Sequence, residues 1–266
     1  MIITILVAFI SLMGLMIIHE FGHFILAKKF GADVEEFGVG YPPRIFAKKI
    51  GAVVYSLNLI PFGAFVNIKG EKGGIEDPHS FAGKPMLQRV LIVLGGVISF
   101  WLVAILLLSI VAGVWGLPFV RGFETPSPWY QAPLGGIIGT ANLTIGVVQG
   151  WIMGVKSMLG VAQLPPGVEL EMMGPLGIFD LMRTYFAMGI NYYLFLVSLI
   201  SVALALANLL PIPALDGGKI VFLAIEAIRK KPLNHKLEAR ITGVFFALLI
   251  ILMIFVTINF DIPRLF

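Results

Sequence analysis

Four stretches without a charged residue constrain this chain more than any other feature. They cover residues 1–18, 90–120, 184–215 and 241–260, and each is long enough to cross a bilayer as a helix. The sequence is 58% hydrophobic and only 13% charged, whereas soluble globular chains are about 25% charged. The pattern therefore predicts a mainly α-helical polytopic membrane protein with four transmembrane helices.

The basic residues predict how these helices are oriented. Nine Lys and Arg residues lie in 28–89 and five in 229–240, but only three lie in 116–189. Because basic loops stay on the cytoplasmic side, the first two segments are predicted inside and the third outside. No basic run alternates with aromatic residues, so nucleic acid is not an expected partner.

Residues 34–68 do not read as a helix. The segment is rich in β-branched and aromatic residues and is punctuated by Pro61 and Gly63, which indicates short strands and turns. Much of it is apolar although it belongs to a predicted cytoplasmic loop, so we expect a short β element that re-enters the membrane. An open strand edge at that depth needs cover or a pairing partner.

The first span carries the pattern His-Glu-x-x-His at His19, Glu20 and His23. The two histidines are one helical turn apart, so both imidazoles can reach one zinc ion from the same face. Glu20 lies about 100° around the helix and can face a water on that ion. Ionisable side chains are costly inside a membrane, which favours a functional role over a structural one.

A catalytic zinc has three protein ligands and one open position, so a third ligand is required. Asp216 is the best candidate, because it lies near the end of the stretch ANLLPIPALDGG, whose prolines interrupt the predicted third span. Taken alone, Asp-Gly is also a common turn dipeptide. His79 and His235 occur in polar segments and are expected to be solvated. There are no cysteines, so thiolate ligands are excluded.

Residues 125–155 are also uncharged, but six glycines interrupt them, so they could form a fifth span or a helix at the outer interface. His19 and His23 lie toward the inner end of the first span, and Asp216 ends the third. These residues meet on one side of the membrane only if 125–160 does not cross. The sequence therefore predicts that 125–160 does not cross the membrane.

Five stretches of the chain resemble the site-2 protease family of intramembrane zinc metalloproteases, in its bacterial branch that cleaves anti-sigma factors and other single-span proteins. They are HEFGHFILAKKFG at 19–31, LIPFGAFVNIKGE at 59–71, SFAGKPMLQRVLIVLGGVISF at 80–100, GPLGI at 174–178 and NLLPIPALDGGKIVFLAIEAI at 208–228. The resemblance implies one Zn²⁺ per chain, held by His19, His23 and Asp216, with Glu20 as the catalytic glutamate. It also implies Asn208 and Gly63 as substrate-binding residues.

The resemblance further implies where the protein acts and on what. The substrate would be a single-span membrane protein or a leftover signal peptide, unwound and paired with the β element. The site would lie toward the cytoplasmic side of the bacterial cytoplasmic membrane, with the lipid bilayer as a second partner. Neither the natural substrate nor the oligomeric state follows from the sequence.

The chain departs from the family pattern in two ways. The branch normally carries a PDZ domain between the second and third spans, but only about 55 residues, 118–173, lie there. The resemblance instead implies outer-surface helices at 135–190. We therefore expect three parts: a first catalytic part at 1–117, an extracytoplasmic segment without a PDZ domain at 118–189, and a second catalytic part at 190–266. Gly96 and Ser99 replace the usual proline and asparagine, although small residues still permit close helix packing.

Three other functions compete with the protease interpretation. The chain could be an inactive relative that binds membrane helices, but Glu20 is retained. It could be a zinc-handling membrane protein, but transport favours ligands at several depths and only one cluster is evident. It could also be a membrane protease of another fold that cleaves exposed loops, but such enzymes usually take glutamate as the third ligand, and here the candidate is Asp216.

Overall fold

A computed structural model describes residues 2–71, 77–161, 172–231 and 233–265 of the 266-residue chain. The described elements are mainly helical, as the sequence predicts. The predicted segment 118–189 extends partly over 162–171, which lies outside the described residues. In chain order the elements are α1 (Ile2–Lys29), β1 (Val34–Ile50), β2 (Val53–Ile68), α2 (Met86–Val114), α3 (Ala132–Met158), α4 (Pro175–Met188), α5 (Ile190–Asn208), α6 (Asp216–Arg229), α7 (His235–Val256), a π-helical turn (Thr257–Asp261) and α8 (Ile262–Leu265).

The number of helices that are long enough to span differs by one from the four predicted. Among the described residues, five helices are long and apolar enough to cross a membrane, and α3 is the one that the prediction left out. With 27 residues, α3 is about 40 Å long, and its glycines do not interrupt it. It is the least apolar of the five. By contrast, α4 has only 14 residues and is too short to span.

The chain divides into two compact units. The first unit comprises Met1–Ala8, Trp101–Ala203 and Leu249–Phe266, and the second comprises Phe9–Phe100 and Leu204–Leu248. Four of the spanning-length helices contribute residues to both units, whereas α3 belongs entirely to the first. Every residue of the predicted zinc site belongs to the second unit.

The β element is longer than the short strands that the sequence suggests. The strands β1 and β2 have 17 and 16 residues, and both bend, so that each pairs more than once. Residues 36–39 pair with 64–67 and also with 54–57, which in turn pair with 46–49. Among the described residues, 46–49 and 64–67 are therefore the outer segments of this small sheet.

Apolar packing holds the β element against helices of the second unit. Phe24 of α1 contacts Phe37 of β1 edge-on, with ring centroids 5.6 Å apart. Burial of such side chains is worth about 1.5–3 kcal/mol each. The same core draws on both strands, α1, α2 and α6; its buried members are Phe24, Ala27, Ala32, Val34, Phe37, Val53, Ile68, Phe81, Ile92, Val93 and Leu223.

The first unit has a core of its own and a buried carboxylate that fixes one helix end. The core packs residues of α2 and of the loop after it against Ala132 of α3. Asp261 is fully buried and accepts hydrogen bonds from the backbone N–H groups of Gly174 and Leu176. These donors lie at the start of α4, where a helix offers unsatisfied N–H groups and a positive dipole end.

Candidate metal centre

Three side chains from two separate helices converge in the second unit. The Nε2 atoms of His19 and His23 are 3.3 Å apart. The Oδ2 atom of Asp216 lies 3.5 Å from His19 Nε2 and 3.4 Å from His23 Nε2. The two histidines are buried, and the Asp216 side chain is only 12% exposed. The structure thus brings the three predicted ligands together in a nearly equilateral triangle.

The size of this triangle fits a zinc ion. Zinc binds nitrogen and oxygen ligands at about 2.0–2.2 Å in tetrahedral geometry, which places two ligands roughly 3.3–3.5 Å apart. Among the described residues, none donates a hydrogen bond to the buried Asp216 Oδ2. Buried carboxylate oxygens are normally satisfied, so an oxygen left without a donor beside two imidazoles is what a metal ligand requires.

The orientation of both imidazole rings is fixed by contacts with α2. His23 donates its Nδ1–H to the carbonyl oxygen of Ile92 at 2.9 Å, which leaves Nε2 free to bind a metal. The ring of His19 stacks on Phe100, with centroids 4.7 Å apart and planes 20° apart. Contacts within the protein therefore hold the Nε2 atoms of His19 and His23 in place.

Glycines let α1 and α2 approach closely enough for these contacts. A Cβ on Gly22 would lie 2.1 Å from the carbonyl oxygen of Gly95, so the two backbones touch at this point. A Cβ on Gly96 would lie 2.4 Å from Cε1 of His19 and 2.5 Å from Nε2 of His23. Residue 96 must therefore lack a side chain while the rings hold these positions. The prediction that small residues permit close packing here is confirmed.

Glu20 lies beside the three convergent side chains. Ligand atoms of His19, Glu20 and His23 all fall within 4.8 Å of one another. Glu20 is partly exposed, whereas both histidines are buried. Its carboxylate can therefore reach a water next to the metal position while remaining outside the triangle.

Asp216 reaches the histidines because α6 begins in tight contact with the preceding loop. Added Cβ atoms on Gly217 and Gly218 would lie 2.3 Å from the oxygen of Leu210 and 2.2 Å from the oxygen of Ile212. Only glycine leaves room for this packing. The prolines of the loop end α5 at Asn208, and the helix restarts at Asp216.

The two predicted substrate-binding residues have local contacts of their own. Asn208 donates its side-chain amide to the oxygen of Leu204 within α5. Gly63 has a φ of 89°, and its N–H lies 3.3 Å from Met13 Sδ. Neither contact involves the three convergent side chains, so a role for these two residues stays a prediction.

The other two histidines do not belong to the triangle. The side chain of His79 is exposed, as predicted. His235 is partly buried, and its Nδ1 lies 3.7 Å from Glu238 Oε2.

Sequence reasoning missed three contributors to the site. Ile92 contributes only a backbone oxygen, which no side-chain pattern can reveal. Phe100 reads as an ordinary apolar residue of a span. Lys219 forms an ion pair with Glu71 that is 148 positions away in sequence, so only the folded chain brings the two together.

Fold and site together define a multi-pass membrane protein with a metalloprotease centre. Residues 7–252 match the family model described as peptidase family M50. The chain therefore belongs to peptidase family M50, the site-2 protease family, and is a zinc metalloprotease.

Curated relatives agree with this assignment. A protein of Clostridium perfringens named as a zinc metalloprotease is 27% identical over 326 residues, covering 96% of this chain and 97% of the relative. The regulator of sigma-W protease RasP of Bacillus subtilis is 24% identical over 422 residues, covering 100% of both chains. The zinc metalloprotease RasP of Bacillus licheniformis is 48% identical over 93 residues, covering 35% of this chain and 22% of the relative. The 422 aligned positions exceed the 266 residues of this chain, so the Bacillus subtilis protein carries additional residues.

Proposed function

We propose that this chain is an intramembrane endopeptidase that hydrolyses a peptide bond within or near the transmembrane segment of a single-span membrane protein or leftover signal peptide. The observation that carries the proposal is the triangle of His19, His23 and Asp216, with Glu20 beside it, on helices of a membrane protein. Three ligands leave a fourth position of a tetrahedral zinc ion open for water or substrate.

Each residue of the site has a distinct task in this proposal. His19, His23 and Asp216 would hold a zinc ion, which would supply Lewis acidity to the scissile carbonyl and to a water. The carboxylate of Glu20 takes a proton from the attacking water and later passes it to the leaving amine nitrogen. The Ile92 carbonyl keeps the His23 ring oriented throughout.

The β element supports the choice of an unwound membrane helix as substrate. Amides in a helix are shielded by their own hydrogen bonds, so the substrate must become extended before hydrolysis. The outer segments 46–49 and 64–67 offer strand edges to which an extended peptide can add. Gly63 lies just before one of them, and Asn208 ends the helix that precedes Asp216, which supports roles for both in holding the substrate.

The basic residues support an active site on the cytoplasmic side of a bacterial inner membrane. The segments 28–89 and 229–240 hold fourteen of the nineteen Lys and Arg residues. Basic loops are retained in the cytoplasm, and both segments belong mainly to the unit that contains the triangle. The name of the Bacillus subtilis relative, a regulator of sigma-W protease, supports an anti-sigma factor as one substrate.

A cleavage assay with three purified proteins tests the proposal. The wild type, Glu20→Gln and the control Glu124→Gln are prepared in detergent with zinc and mixed with a tagged single-span protein. Glu124 is exposed and its carboxylate accepts a hydrogen bond from the nearby Gly122 N–H, so its variant is a matched loss of charge away from the site. We expect wild type and control to cut within the span, and Glu20→Gln to be about 10²–10⁴-fold slower.

The other outcomes identify the competing functions. One bound zinc per chain without cleavage of several single-span proteins would favour an inactive relative or a zinc-handling protein. Equal cleavage by Glu20→Gln and wild type would exclude Glu20 as the base. Cleavage only of loops outside the span would exclude an intramembrane bond as the target.

A further inference from the structure

A second polar contact lies one helical turn from Asp216. The Lys219 ammonium forms an ion pair with the Glu71 carboxylate, whose side chain is only 15% exposed. Lys219 is on α6, and Glu71 follows the end of β2 at Ile68. Neither residue has a task in the reaction proposed above.

The first turn of α6 needs a contact of this kind. Two of its first three residues are Gly217 and Gly218, and glycine is among the weakest helix formers. The preceding Leu215 supplies no side-chain cap. The backbone N–H groups of Gly218 and Lys219 both approach the single oxygen of Leu215, at 3.1 and 3.3 Å. The turn that carries Asp216 is therefore weak by itself.

The other partner, Glu71, lies on a well-fixed part of the chain. Its N–H donates to the oxygen of Ile68 at 3.1 Å, closing a turn at the end of β2. The neighbouring Lys69 donates its N–H to the oxygen of Asp33 and accepts one from Phe81 N, at 2.9 and 2.7 Å. An ion pair with Glu71 thus ties α6 to the end of the β sheet.

We propose that Glu71 and Lys219 are positioning residues that hold Asp216 beside the two histidines. Residues three apart lie on the same face of a helix, so a restraint on Lys219 is also a restraint on Asp216. The ion pair fastens the glycine-containing turn to the sheet and keeps Oδ2 within reach of both imidazoles. This inference rests on the proposed function, since it assigns the pair to the metal centre of that enzyme.

The chain offers a matched control on the same helix. Glu226 forms a buried ion pair with Arg89 of α2 at 2.8 Å and accepts a hydrogen bond from the N–H of Leu233. Glu226 is ten residues beyond Asp216, about 15 Å along the helix axis. Loss of its charge weakens the attachment of α6 without touching its first turn. Glu71→Gln and Glu226→Gln therefore make the same chemical change in two ion pairs, one near the start of α6 and one near its end.

The test is a zinc titration of the full-length protein in detergent, with a chelator as competitor. We expect Glu71→Gln and Lys219→Met to bind zinc about 10-fold more weakly, in the range typical for residues that orient metal ligands. The exchanged pair Glu71→Lys with Lys219→Glu should recover most of the affinity, and Lys219→Arg should retain it. Glu226→Gln should lower the melting temperature while zinc affinity stays within about 2-fold.

A second readout comes from kinetics with the single-span protein. A displaced metal ligand lowers kcat, whereas KM for the substrate stays nearly constant. If Glu71→Gln binds zinc like wild type, or no worse than Glu226→Gln, the inference is wrong. The inference is also wrong if Lys219→Met weakens zinc binding but Glu71→Gln does not and the exchanged pair fails to recover it. Lys219 would then act on the site through its own charge, without Glu71.

These outcomes are separable from failure of the proposed function. A wild-type protein that binds zinc but cleaves no single-span protein contradicts the protease proposal. The titration still decides whether the ion pair positions Asp216, because it requires no turnover.

Discussion

Asp216 and Asp261 both place a buried carboxylate oxygen in a strongly apolar chain, one in each compact unit, yet these oxygens have opposite surroundings. The two oxygens of Asp261 accept hydrogen bonds from the backbone N–H groups of Gly174 and Leu176, at 2.9 and 3.1 Å. The Oδ2 atom of Asp216 has two imidazole nitrogens at 3.4–3.5 Å and, among the described residues, no donor.

Hydrogen-bond donors distinguish a structural carboxylate from one that can bind a metal. A carboxylate with both oxygens satisfied by a helix N-terminus is stable as it stands and fixes that helix. A buried carboxylate without a donor is costly, and its retention calls for a bound cation. Burial alone does not distinguish the two aspartates; the hydrogen-bond partners do.

Removal of the Asp216 side chain should have the largest effect on zinc affinity and on cleavage. We expect Asp216→Ala to lose zinc affinity by more than the roughly 10–100-fold that orienting residues cost, because a direct ligand is gone. Cleavage of a single-span protein should fall to background. Zinc content after dialysis, measured by elemental analysis, checks the prediction. A protein that keeps one zinc per chain would place the third ligand elsewhere.

The second-largest loss of zinc affinity is expected when Gly96 gains a methyl group. Gly96→Ala puts a Cβ within 2.6 Å of both imidazole rings, so the rings or α2 must move. We expect zinc affinity to fall about 10–100-fold, as for lost orienting contacts. Gly14→Ala, on α1 with nothing within 4 Å of the added methyl, is the control and should bind zinc normally. Equal affinities for the two variants would show that the rings adapt freely.

Substitution of Asp261 should lower stability but leave zinc binding unchanged. Asp261→Asn turns one acceptor into an NH₂ group that faces a backbone N–H, which should cost about 1–3 kcal/mol of stability. Zinc stoichiometry should stay at one per chain, because the carboxylate belongs to the other unit. Thermal unfolding and zinc content, measured on the same preparation, check both halves of the prediction. Loss of zinc without loss of stability would overturn the structural assignment.

The smallest effect on stability is expected at Asp77, a partly exposed aspartate. A hydrogen bond from the Lys69 ammonium, at 2.6 Å, holds the pKa of Asp77 below its usual value, and in return raises the pKa of Lys69. The ionised carboxylate therefore stabilises the fold above the unfolded pKa, near 3.8, and that contribution is lost as pH falls through the lower folded pKa.

The corresponding variant is Asp77→Asn. It should lower the melting temperature only slightly at neutral pH, since exposed ion pairs contribute little, and should match wild type at pH values below the folded pKa. Melting curves across pH 2–7 (about one unit apart) test this. A difference that persists at the acid end would mean that the side chain contributes through packing rather than charge.

Patterns along the sequence predict the class of protein and the three side chains that converge in the structure. Long uncharged stretches require helices in a membrane, because their backbone groups must be satisfied internally. The spacing of His19 and His23 places both rings on one helical face, and a lone acidic residue at a helix break makes Asp216 the natural third ligand. These inferences depend on local periodicity and on the cost of burying charge, both of which are readable along the chain.

The contacts that hold the three convergent side chains in place are visible only in the folded chain. The approach of α1 to α2 at Gly22, the Ile92 carbonyl under His23 and the ion pair of Glu71 with Lys219 all join residues far apart in sequence. The sequence also underestimated the length of the β strands, because bends within a strand weaken local signals without ending the element. Such features depend on packing between segments, which one sequence does not display.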